Sequence, residues 1–121
     1  MTTASGHTQA IPASRVKDTS VYNTAGEKIG HVEDIILDKL SDNIMFAVIG
    51  FGGFLGMGEK YHPVPWSLLD YDKQKGGYVV SLSKDVLKSA PAYSVNELTE
   101  QDGGTIREAA YKYYKVNPYW N

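Results

Sequence analysis

Gly50-Phe51-Gly52-Gly53-Phe54-Leu55-Gly56-Met57-Gly58-Glu59-Lys60-Tyr61-His62-Pro63-Val64-Pro65-Trp66 is the stretch that decides the fold. Five of its first nine residues are glycine, an apolar run leads into it, and Pro63-Val64-Pro65-Trp66 closes it. Glycine reaches positive φ and lets backbones approach closely. The segment therefore reads as a tight, chemically quiet turn between strands, with Gly53 and Gly56 in conformations that a Cβ would oppose. Phe54 and Leu55 at its tip either fold over the end of the sheet or meet a partner. A phosphate loop is not indicated. Gly53 and Gly58 have the glycine spacing, but Glu59-Lys60-Tyr61 and a strand follow where Lys-Ser/Thr and a helix are needed. An anion nest in this turn, with Lys60 and His62 beside it, is the alternative use.

Upstream, Ile44 to Phe51 reads as a buried strand. Lys28 to Asp38 reads as one long strand in which Ile29, Val32 and the contiguous Ile35-Ile36-Leu37 break simple alternation. That break predicts a bulge or bend between Gly30 and Asp34. The polar Lys39 to Asn43 turn joins the two into a hairpin. Val21-Tyr22 is a shorter strand that turns at Asn23 to Glu27, with Gly26 in the turn. Downstream, Lys60 to Val64 is a strand running into Pro65 and Trp66, and Trp66 is expected in the core at the start of a strand. Leu68 to Asp72, a Lys73 to Gly77 turn, and Tyr78 to Leu82 complete the pattern. Short strands separated by turns, with no helix between them, indicate an antiparallel barrel or sandwich.

The period then changes. Ser83 caps a single helical turn, Lys84 to Lys88, that stops before Pro91. Ser94-x-x-Glu97 and Thr105-x-x-Glu108 read as capping boxes on either side of a Gly103-Gly104 break. Ile106, Ala109, Ala110, Tyr113 and Val116 fall on one face of the last helix, and Arg107, Glu108, Lys112 and Lys115 on the other. A helix of about eleven residues is marginal alone and needs a surface to cover. That surface is its own barrel or a second chain. Tyr93, Tyr111, Tyr113, Tyr114, Tyr119 and Trp120 crowd the same region, and such residues are enriched in interfaces. The expectation is a helix that serves assembly more than barrel folding, with Ile106, Tyr113, Tyr114 and Trp120 as contact residues.

Ser14-Arg15-Val16-Lys17-Asp18-Thr19, Val21-Tyr22-Asn23, Gly26-Glu27-Lys28-Ile29-Gly30 and Val32-Glu33-Asp34 together resemble the opening of PRC-barrel domains. Gly52-Gly53-Phe54-Leu55-Gly56-x-Gly58 with Pro63-Val64-Pro65-Trp66 is similar to the middle of that family, and Leu87-x-x-Ala90-Pro91 to its end. The resemblance covers roughly residues 13 to 92. It implies a small, mainly β, antiparallel barrel like the cytoplasmic domain of the photosynthetic reaction-centre H subunit or the C-terminal domain of a ribosome-maturation factor. It also implies an assembly or interaction module without a shared catalytic motif. The expected organisation is a disordered tail over 1–12, the barrel over 13–92 and a helical extension over 93–121. Gly26, Gly30, Gly53, Gly56, Pro65 and Trp66 are its expected structural residues.

A chain of 121 residues fits one domain with tails, and its net charge of −2 gives no basic footprint for nucleic acid. Cysteine is absent, which removes disulfides and thiolate metal sites and fits a cytoplasmic protein. No apolar run nears the roughly 18 residues of a membrane span, and Met1 to Ala10 lacks the basic start and apolar core of a secretory signal. His7 falls in the tail, His31 on a strand surface, and His62 before Pro63, near Glu59 and Asp70 in sequence but without the converging partners of a zinc or general-base site. Asp34, Asp38 and Asp42 recur every four residues but lie on strand and turn, outside any EF-hand order. The reading is a non-enzymatic interaction module, with no catalytic, cofactor-binding or metal residues expected, working as a homodimer or with another protein. A small-molecule or anion-binding protein and a ribosome- or RNA-associated factor are the alternatives.

Overall fold

The computed structural model describes residues 10–50, 61–94 and 96–120. Among them, one short helix, α1 (Ala13–Val16), precedes the strands β1 (Ser20–Asn23), β2 (Lys28–Asp38), β3 (Asn43–Gly50), β4 (His62–Pro65), β5 (Asp70–Asp72) and β6 (Gly77–Val80). The helices α2 (Lys84–Lys88) and α3 (Gly104–Tyr114) follow. The strands form one sheet in the order β4-β3-β2-β1-β6-β5. Four of its five pairings are antiparallel, but β1 runs parallel to β6, with Val21 opposite Tyr78. The expected all-antiparallel sheet is thus corrected to a mixed one.

The sheet is also open: among the described residues no ladder joins its edges, β4 and β5. It is nevertheless strongly curled. Six flat strands would set the outer two about 24 Å apart. Only Trp66 to Leu69 separates β4 from β5, and that link reaches about 17 Å even when extended. Here it is shortened further by the 3-10 turn Trp66–Leu68. Trp66 therefore begins this turn and not a strand. It is half-buried and packs edge-on against Tyr78 at 5.4 Å.

Three one-residue bulges set which side chains point inward. Glu33 is the extra residue between the Val32–Ile49 and Asp34–Val48 pairs, inside the range where broken alternation predicted a bulge. It returns Ile35 to the same face as Val32. Met45 is extra between the Ile36–Phe46 and Leu37–Ile44 pairs, and Ile29 between the Val21–Gly30 and Tyr22–Lys28 pairs. Each switches the parity of its strand, as a bulge must.

The concave face gathers Val21, Ile29, Val32, Ala47, Ile49, Val64, Tyr78 and Val80, plugged by Val16 of α1 and Leu87 of α2. The other side of β3 carries Met45, Phe46 and Val48, covered by Leu98, Ile106, Ala110 and Tyr111. Burial on both faces explains why Met45 to Ile49 is a continuous apolar run. Pro63 and Pro65 pair with Val48 and Phe46 on an edge strand, where a missing N–H is tolerated and further pairing is blocked.

The turns follow local chemistry. Gly26 takes φ 88° in the β1–β2 turn, where Asn23 and Glu27 exchange side-chain hydrogen bonds. Gly30 is buried in β2 opposite Val21. Ser83 caps α2 by accepting from the Val86 N–H at 3.1 Å. Glu97 closes half a capping box on Ser94, accepting from its N–H at 2.8 Å. The second expected box is absent. Gly103, at φ 74°, is the N-cap of α3 without a side-chain cap, and Thr105 lies inside the helix. Lys115 ends α3 in the left-handed region at φ 59°, donating its N–H to the Lys112 carbonyl, and Val116 N–H returns to the Tyr111 carbonyl at 3.0 Å. A non-glycine residue there costs roughly 1–2 kcal/mol.

Candidate interaction site

The β2–β3 hairpin ends in a tight polar turn that holds two leucines outward. Asp38 shapes it: Oδ1 accepts the Leu40 N–H at 3.0 Å, and the Asp38 carbonyl accepts from Asp42, which sits at φ 62°. Asn43 Nδ2 donates to both Ser41 oxygens. Leu40 is left 97% exposed and Leu37 60% exposed. An apolar residue inside Lys39-Leu40-Ser41-Asp42-Asn43 was a signal readable from sequence and is the site residue that pattern reasoning passed over.

The other oxygen of Asp38 holds the end of the chain. After the reversal at Lys115, residues 116–120 run back as a strap. Tyr119 donates its hydroxyl to Asp38 Oδ2 at 2.7 Å. Trp120 packs edge-on at 4.6 Å from the Tyr111 ring, and the Arg107 guanidinium lies 4.5 Å over its indole. Val116, Tyr119 and Trp120 join the cluster on the outer side of β3. The Tyr119 hydrogen bond is the main influence holding the Asp38 carboxyl below its ordinary pKa. Burial, reinforced by Asp38, pushes the Tyr119 hydroxyl up to about 12. Nothing in the sequence links Asp38 to a tyrosine this far away.

The expected contact residues are distributed differently. Ile106 is buried within this chain's own core on the outer side of β3. Tyr113 is half-buried and donates to the Val86 carbonyl at 2.7 Å. Tyr114 is half-buried against the concave-face cluster, and burial raises its hydroxyl pKa. Trp120 is half-buried in the strap. The helix thus docks on its own chain. Tyr111, missing from the expected stripe, is its deepest aromatic, donating to the Met45 carbonyl at 3.0 Å. Phe54, Leu55, Gly53, Gly56, Glu59 and Lys60 lie outside the described residues.

Of the groups weighed for chemistry, His31 Nε2 lies 2.7 Å from Glu33 Oε2 on the half-exposed face of β2. His62 is buried on β4, where burial pushes its pKa down and a hydrogen bond to the Pro91 backbone partly offsets this. Asp34 caps the Ile35 N–H at 2.8 Å. Among the described residues, no group of three or more His, Asp or Glu side chains is placed to hold a metal. None of their helices is long and apolar enough to cross a membrane.

Residues 9–87 match the profile of the PRC-barrel domain. A protein of Deinococcus radiodurans, described as uncharacterized, is 29% identical over 90 residues. The aligned part is 68% of this chain but only 32% of that relative, so the chain spans about a third of its length.

Proposed function

We propose that this chain, which belongs to the PRC-barrel family, is a non-enzymatic protein-interaction module that acts in the cytoplasm and self-associates as a homodimer. The observation that carries the reading is the β2–β3 hairpin end, where Leu37 on β2 and Leu40 in the turn both stand exposed and Asp38 fixes the Leu40 backbone while anchoring the strap. Exposed leucines at a hairpin end have no role in this chain's own core and suit contact with another protein surface. Polar side chains here are engaged in structure: Asp38 in this turn, Asn23 and Glu27 in the turn at the other end of β2, Ser83 in a helix cap.

Light scattering after size-exclusion chromatography tests the proposal. The native chain is expected to show a concentration-dependent dimer. The Leu37→Ser and Leu40→Ser double variant is expected to keep its melting temperature and lose self-association. A native chain that stays monomeric at high concentration overturns the homodimer. A double variant that dimerises as well as the native chain overturns the assignment of the hairpin end.

A further inference from the structure

We propose that the C-terminal strap, residues 116–120, exchanges between two copies of this chain, each strap seating on the partner copy's β2–β3 hairpin. The inference deepens the homodimer reading above and rests on it. The receptor surface and the segment that fills it are both described: Val116, Tyr119 and Trp120 cover the outer side of β3, and Asp38 accepts the Tyr119 hydroxyl. A second copy presents the same segment to the same surface, so exchange costs no complementarity and closes into a symmetric pair.

The choice between own and partner surface is made at Lys115. It reverses the chain at φ 59°, ψ 44°, a conformation that suits glycine and disfavours a side chain with a Cβ. If Lys115 instead takes the right-handed conformation, α3 runs on past its present end and the strap points away from its own hairpin. Asn117 precedes Pro118, which biases it away from helix and keeps the strap itself extended. Nothing covalent holds the strap in place. Its anchors are the Tyr119 hydrogen bond, the Arg107–Trp120 stacking, the packing on Tyr111 and, at the reversal itself, the Val116 N–H on the Tyr111 carbonyl. An exchanged pair keeps the first three, replaces the fourth with the hydrogen bond of a continued helix, relieves both strained hinges and adds contact between the two hinge segments.

Two opposed substitutions at Lys115, compared with the native chain by light scattering over a concentration series, test this. Lys115→Gly removes the strain at both hinges and should weaken dimerisation about thirtyfold to a thousandfold. Lys115→Val puts a β-branched residue where positive φ is least tolerated and should strengthen it. A purely structural role for residue 115 would move the melting temperature without shifting the dimer in opposite directions. Equal dissociation constants for all three chains overturn the exchange. So does a chain ending at Lys115 that dimerises as tightly as the full chain, a result that leaves self-association through another surface standing. A native chain that is monomeric throughout overturns both readings.

Discussion

Tyr119 donates its hydroxyl to Asp38 Oδ2 at 2.7 Å, tying the end of the chain to the β2–β3 hairpin across 81 positions of sequence. The carboxylate serves two masters at once, since its other oxygen accepts the Leu40 N–H. Turn shape and strap docking are therefore coupled through one side chain.

The pair makes stability depend on pH at both extremes. Asp38 titrates below its ordinary 3.8, so its contribution is present above that value and is lost as pH falls through the lower, folded value. Tyr119 titrates near 12 where an ordinary tyrosine titrates at 10.0, so its contribution is present below pH 10.0 and is lost as pH rises towards 12. Tyr119→Phe should lower the melting temperature at neutral pH and flatten both flanks of its pH profile. A variant profile parallel to that of the native chain at both ends would show the pair to be energetically silent.

Tyr111 should be the most sensitive position on α3. Its ring is buried 5.9 Å from that of Phe46, and its hydroxyl serves the Met45 carbonyl. Tyr111→Ala removes a core aromatic, at a cost of about 3–5 kcal/mol. Tyr111→Phe leaves one buried acceptor unmet, at about 1–2 kcal/mol. Urea unfolding should rank the two in that order, with Tyr113→Phe, at a half-buried position, milder than Tyr111→Ala.

Glycine substitutions should separate close approach from open space. A Cβ on Gly77 would sit 2.5 Å from the Ser20 carbonyl oxygen, so Gly77→Ala forces β1 and β6 apart, at about 2–3 kcal/mol. Gly76 has φ 66° but no atom in the way, and Gly76→Ala should cost only about 1 kcal/mol. Gly104 starts α3 with neither constraint, so Gly104→Ala should stabilise by about 0.5–1 kcal/mol. Equal midpoints in denaturant for all three would contradict these placements.

Glu33 is the extra residue of a bulge, and neither its side chain nor its place should be essential to the fold. Glu33→Ala loses a half-exposed pairing with His31 and should cost under about 1 kcal/mol. Deleting Glu33 removes the bulge but leaves Val32 and Ile35 two positions apart, so a regular ladder keeps both on the concave face and the variant should retain a cooperative thermal transition. A deletion variant without a cooperative transition would disprove the parity argument.

Local signals were legible. The apolar run of β3, the Ser83 cap and the broken alternation around Glu33 each depend on neighbours a few residues apart, and each fell where the sequence pointed. What failed to show was long-range. The parallel β1–β6 pair is chosen by packing between segments more than fifty residues apart, and strand patterns carry no direction. Thr105 has the spacing of a cap, but the left-handed backbone of Gly103 starts the helix two residues earlier. Trp66 looks like a core strand residue, yet joining opposite edges of a curled sheet requires a turn there. Phase along α3 was misjudged by aligning Tyr113 and Val116, although Val116 lies beyond the helix and returns through the Lys115 reversal.

The parallel neighbour of β1 also imposes an order of events during synthesis. β2 and β3 can zip as soon as they emerge, but the far flank of β1 has no mate until Val80 is made. Loop closure over that separation is slow compared with hairpin formation. The nascent chain therefore passes through a stage with one bare flank on Val21 and Tyr22, and that stage is when it is most open to pairing with the wrong strand.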